Sequence, residues 1–201
     1  MSTPQETYES ERLVLRGRPG RQIVTRLAED ADWTLLADNA GEPYAEHTRE
    51  QTWGVRQGVH VYVLTDALSE YSAITVLADD RHTLNEFVEM LRGHLETLPQ
   101  EELRQTIKNF SDPSERMHRL MRLAISAPAE FDREVHIQMT QLSKDDDPRV
   151  RDAVTLASGY LPWPQMRPVL KAMAEHDAHP TVRQDAISAL HLFDDAGVPE
   201  E

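Results

Sequence analysis

Hydrophobic positions along the 201-residue chain change rhythm near Pro99. Before it, short apolar runs and period-two alternation predominate. Arg12–Gly17 (RLVLRG), Gln22–Leu27 and Trp33–Ala37 read as short strands, with the acidic Glu29-Asp30-Ala31-Asp32 between the last two. Gly58–Thr65 (GVHVYVLT) alternates, placing Val59, Val61 and Val63 on one side and His60, Tyr62 and Leu64 on the other. Tyr71–Ala78 returns after the short connection Asp66–Glu70, so the pair predicts a β-hairpin. Apolar residues on both faces predict a central position in the sheet. The segment 39–47 (NAGEPYAEH) reads as a loop.

A helical period follows. Thr83-x-x-Glu86 has the form of a capping box. Leu84, Phe87, Val88, Leu91, Leu95 and Leu98 then step by three or four residues, which predicts one long helix covering the sheet. Residues 11–98 are thus expected to form a small α+β domain of roughly five antiparallel strands.

Beyond Pro99 the pattern is helical throughout. Thr97-x-x-Gln100 leads into Leu103, Ile107 and Phe110, read as a capping helix over 99–110. Asp112-Pro113-Ser114-Glu115 opens a helix carrying Met117, Leu120, Met121, Ala124 and Ile125. Pro128 opens the next, with Phe131, Val135, Met139 and Leu142 expected inward. Asp147–Leu161 (DPRVRDAVTLASGYL) and His179–Phe193 (HPTVRQDAISALHLF) then superpose at an offset of 32 residues. Pro148 meets Pro180, Val150 meets Val182, Arg151 meets Arg183 and Ala157 meets Ala189. A fixed period of this size marks a stacked helical array. Pro162-Trp163-Pro164 breaks the chain between the two, and Met166, Val169, Leu170 and Met173 predict an intervening helix facing inward. Residues 113–143 read as a degenerate earlier repeat, giving about two and a half units.

The pattern of Asp or His, then Pro-x-Val-Arg, then later Ala and Leu, resembles HEAT repeats over about residues 147–195. The resemblance implies a structural role for Asp147, Pro148, Arg151, Pro180 and Arg183, with Asp and Arg bridging adjacent repeats. It also implies an interaction scaffold, since such arrays bind varied partners. The expected organisation is a disordered start (1–10), the α+β domain (11–98), HEAT-like repeats (99–195) and an acidic tail (196–201).

Charge narrows the function classes. The formal net charge is −14, with 17 acidic and 9 basic residues in 1–98 and 18 and 12 in 99–201. Both halves being acidic argues against nucleic acid or an anionic membrane as partner, and suits a basic protein. The chain has no Cys, which excludes disulfides, thiolate nucleophiles and Cys-based zinc sites. The polar start and the lack of a long apolar run predict a cytoplasmic protein. Eighteen Arg against three Lys are associated with a GC-rich bacterial genome.

No motif defines an active site. His176-x-x-His179 with Glu175 and Asp177 supplies zinc-type ligands, but it spans a helix end and reads as a polar turn. Glu46-His47 and Glu175-His176 have the reverse order of the His-Glu pairs in HEAT-like iron hydroxylases. Trp163 and Asp152 are residue types used by HEAT-like DNA glycosylases, but the repeat half lacks the basic groove those enzymes need. Arg12, Arg16, Arg18 and Arg21 form a basic cluster on a predicted edge strand. No catalytic, cofactor-binding or metal-binding residue is therefore assigned, and no cofactor is expected.

The reading that results is a non-enzymatic interaction module, an adaptor, regulator or immunity-type inhibitor, that binds a basic protein. Trp163, Arg167, Lys171 and Glu175 are the candidate contacts. Trp163, between two prolines, otherwise reads as a packing residue at a repeat corner. One alternative is an enzyme or small-ligand protein with a site at the domain junction, formed by His60, Tyr62, Tyr44 and His47. Another is a structural homodimer.

Overall fold

The computed structural model describes residues 7–40, 48–67 and 69–200. The chain divides into two compact units, Met1–Pro99 and Gln100–Glu201. The predicted loop residues Tyr44 and His47, the pair Glu46-His47 and the first six residues of the chain lie outside the described residues.

The first unit is an antiparallel sheet with two helices. Its strands are β1 (Tyr8–Glu9), β2 (Leu13–Val14), β3 (Thr34–Ala40), β4 (Thr48–Arg56), β5 (Val59–Asp66) and β6 (Ser72–Ala78). They run in the order β1-β6-β5-β4-β3, with β2 also pairing β6. The β5–β6 hairpin is central, as its two-sided apolar pattern predicts. Trp53, Val61 and Val76 stand opposite one another across three strands. They form the core with Val63, Ile74, Leu13 and Leu15. The other face of β5 is open: Tyr62 is 43% exposed and His60 is half-buried. His60 and Tyr62 therefore form no buried cluster.

Residues 22–27, expected as a strand, lie inside helix α1 (Gly20–Asp30). The β-branched run Ile23-Val24-Thr25 suggests a strand, yet Val24 and Ala28 are the fully buried pair, four residues apart on one helical face. Ile23 and Leu27 flank them against the same core. Packing against the sheet outweighs the weak local propensity. A Cβ at Gly20 would lie 2.5 Å from the Ser72 hydroxyl, so only glycine lets this helix start sit flush on β6.

Helix α2 (Arg81–His94) buries Leu84, Phe87, Val88 and Leu91. Its N-cap is Asp80, which accepts from the Thr83 amide at 2.9 Å; Thr83 is therefore inside the helix rather than capping it. The helix stops short of the predicted Leu98. The chain after His94 is extended because it pairs with the segment following β2: Leu15 bridges Thr97, and the Leu98 amide donates to the Val14 carbonyl. Leu95 and Leu98 are buried all the same.

The second unit is all helical apart from its turns. It comprises α3 (Gln100–Leu103), a 3-10 turn (Ile107–Asn109), α4 (Pro113–Ser126), α5 (Arg133–Leu142), α6 (Pro148–Ser158), α7 (Met166–His176) and α8 (Pro180–Asp195). The helix expected over 99–110 is broken in two. The Ile107 amide donates to the Gln138 side chain at 3.0 Å rather than to a helical carbonyl. Leu103 and Ile107 are buried nonetheless. Helix α5 starts at Arg133, not Pro128, because the Asp132 carboxylate accepts from the Glu134 and Val135 amides. Phe131 consequently precedes the helix and is 44% exposed, not inward. Its ring meets Trp163 edge-on at 5.5 Å. Helices α4, α6 and α8 pack side by side as the stacked row of the array.

Candidate functional site

One device recurs at the start of each stacked helix. Asp112 and Asp147 cap α4 and α6, and a proline follows each cap. Before α8, His179 holds the cap position without a side-chain bond. Three residues after each proline stands an arginine: Arg116, Arg151 and Arg183. Each reaches back to carbonyls five or six residues earlier. Arg116 donates to the Phe110 and Ser111 carbonyls, Arg151 to those of Asp145 and Asp146, and Arg183 to that of Asp177.

Two of these guanidinium groups also tie neighbouring units together. Arg116 pairs with Asp145 at 2.9 Å. Arg151 grips both Asp177 oxygens, at 2.7 and 2.9 Å. Asp145 also accepts from the Asp147 amide and Asp177 from the His179 amide, so each acid fixes the turn it belongs to. The hydrogen bond from Arg151 holds the Asp177 carboxyl below its ordinary range.

The bridging acids are thus Asp145 and Asp177, two residues before the cap positions. Asp147, expected to bridge repeats, binds locally: its carboxylate accepts from the Arg149 amide and pairs with the Arg149 side chain. Arg149 lowers the Asp147 pKa to about 2. The loss of Asp at position 179 leaves the bridge intact, because Asp177 carries it. Arg116 keeps the Pro-x-x-Arg spacing of the later repeats with Glu115 where they have Val, so Pro113–Ser126 is a true member of the array.

The four residues read as partner contacts do not share one surface. Trp163 is 2% exposed, and its indole Nε1 donates to the Ala129 carbonyl at 2.9 Å. Arg167 is 4% exposed, donates to the Val198 carbonyl and pairs with Asp194. These two hold the interior. Lys171 and Glu175 are exposed on α7, and Lys171 pairs with Glu200 at 3.2 Å.

A concave feature of this unit lies elsewhere on α7. While α4, α6 and α8 stack closely, a groove of about 640 Å³ opens between α7 and the end of α5 with the turn that follows it. Pro168, Val169, Ala172 and Met173 give it an apolar side; Asp145, Asp146 and His176 stand at one end. The Arg151–Asp177 pair lies at that end too, so the ladder that spaces the stacked helices also shapes the groove. A volume of this size with an apolar lining suits an inserted side chain or short segment.

A second electrostatic feature is the carboxyl pair Asp152 and Asp185. Burial, followed by the hydrogen bond and the charge of Asp185, pushes the Asp152 pKa up to about 6. Among the described residues no group of three or more His, Asp or Glu side chains is placed to hold a metal ion. Asp177 of the candidate zinc turn is engaged by Arg151. Among those residues, too, no helix is long and apolar enough to cross a membrane.

Residues 119–191 match the family model of the HEAT repeats. Residues 119–191 are accordingly a HEAT-repeat region, and the chain is of the α+β class, an antiparallel sheet unit followed by a helical unit. Searches of curated proteins and of solved structures found no match to this chain.

Proposed function

We propose that the protein is a non-enzymatic binding module whose partner is a protein, docked in the groove between α5 and α7. HEAT-repeat regions generally mediate protein–protein interaction, which supports the class. The groove carries the particular reading: about 640 Å³, with an apolar wall from Pro168, Val169, Ala172 and Met173, and with Lys144, Asp146 and the arginine-paired Asp145 and Asp177 among its polar lining. Apolar anchors give affinity in such a surface, while charge steers the encounter.

The partner is basic. The helical unit carries 18 acidic and 12 basic residues over 99–201, and the sheet unit is acidic as well. Such a field attracts cations from a distance and repels nucleic acid and anionic lipid. Adaptor, regulator and immunity-type inhibitor all use such a surface, and the identity of the partner decides between them.

Ala172→Arg tests the reading. Ala172 is exposed in the groove, so a long cation there fills the space and adds positive charge without touching the core. Affinity recovery from the native host should yield a basic protein with wild type and lose it with Ala172→Arg. Equal recovery with both would remove the groove from the account.

A further inference from the structure

A second cleft, in the sheet unit, is independent of the helical groove. It has a volume of about 670 Å³ between α1 and strands β3 and β4. Gln51 and Trp53 stand two residues apart on β4 and so face the same side. Both line the cleft, and they are only 4% and 5% exposed. The Trp53 indole Nε1 and the Gln51 Oε1 have neither a hydrogen-bond partner nor solvent-exposed surface. A buried donor or acceptor left without a partner loses the hydrogen bonds it made to water and is destabilising. Two at the floor of one cleft call for a group that satisfies both.

The surroundings define that group. Asp38 pairs with Arg21 and accepts from the Gln51 amide nitrogen at 3.5 Å. With its nitrogen toward Asp38, the Gln51 amide leaves its oxygen as the available acceptor. The indole is a donor only. The charged side chains around the cleft are Arg21, Arg26, Glu29 and Asp38, two of each sign, so the lining selects for no net charge. Leu35 and the Trp53 ring supply apolar walls.

We propose that this cleft binds a small neutral molecule with an N–H donor beside a carbonyl acceptor, the edge of a cyclic amide. The carbonyl accepts from Trp53 Nε1, and the N–H donates to Gln51 Oε1. Both atoms are closed to solvent in this arrangement, so binding requires side chains lining the cleft to move.

Uracil is the probe, with 1,3-dimethyluracil as the analogue whose ring N–H groups are blocked. The readout is the indole N–H resonance of Trp53, distinguished from Trp33 and Trp163 by Trp53→Phe. Uracil should move the Trp53 resonance saturably. Dimethyluracil, and uracil against Gln51→Met, should each bind about tenfold more weakly, the equivalent of one hydrogen bond. No shift of the Trp53 resonance, an equal response to the dimethyl analogue, or a water cross-peak at the indole proton without uracil binding would overturn the proposal. The analogue comparison uses the unmodified protein, so it holds even if Gln51→Met folds poorly.

Discussion

Arg151 grips the Asp177 carboxylate with two parallel bonds, Nε to Oδ2 at 2.7 Å and Nη2 to Oδ1 at 2.9 Å. The Asp177 side chain is 4% exposed and that of Arg151 13%. The pair joins the start of α6 to the turn before α8, and Arg151 also ties down the turn before its own helix. One side chain therefore sets the spacing between repeats.

Arg151→Ala should destabilise the helical unit by about 3 kcal/mol, because it leaves a carboxylate buried without its partner. Arg151→Lys should lose much of the same energy, since an ammonium cannot make the paired bonds. Urea unfolding followed by helical circular dichroism measures both. A change below about 0.5 kcal/mol for Arg151→Ala would mean that the pair contributes no more than a surface salt bridge.

Stability should pass through a maximum in mildly acidic solution. Asp152 has a folded pKa raised to about 6, above the ordinary carboxylate value of 3.8, so its folded form holds the extra proton. Its contribution is complete on the acid side and declines as pH rises through 6. Asp147 acts oppositely: its folded pKa of about 2 gives a contribution present above 3.8 and lost as pH falls toward 2. Asp152→Asn should raise the melting temperature at pH 7 and flatten its dependence between pH 4 and 7. An unchanged slope in a thermal scan series would separate Asp152 from that dependence.

Trp163 closes a corner of the array, with its ring against Phe131 and its N–H on the Ala129 carbonyl. Trp163→Phe should cost about 1–2 kcal/mol through the carbonyl left unmatched, and Trp163→Ala about 3–5 kcal/mol. Tryptophan fluorescence of the folded wild type should include an emission component shielded from acrylamide that the Phe variant lacks. Free quenching of that residue would place it at the surface instead.

Several of these features are legible in the sequence because they rest on local chemistry. Pro148, Arg151, Pro180 and Arg183 repeat at a fixed offset, and the hairpin strands around Val61 and Ile74 alternate strongly. Arg116 is equally legible through its three-residue spacing from Pro113, but a search for Pro-x-Val-Arg passes over it. Asp145 and Asp177 are harder to find, since acidic turns are common and the bridge closes only when two helices stack. Helix α1 is hidden by its β-branched residues, and only the sheet beneath it decides for helix. The groove has no local signature at all: it forms only where α7 lies beside the end of α5 and the turn that follows it. The Trp53–Gln51 pair shows as an ordinary alternation, with nothing to mark the two unmatched atoms.

Photo-crosslinking tests the central claim most directly. A photoreactive residue is placed at Ala172 in the groove, and a control at Ile187, which is 37% exposed on α8 and outside the groove. In the native host, position 172 should give a discrete adduct with a basic protein, and position 187 should not. Identical adducts from both positions, or none from 172, would contradict docking between α5 and α7.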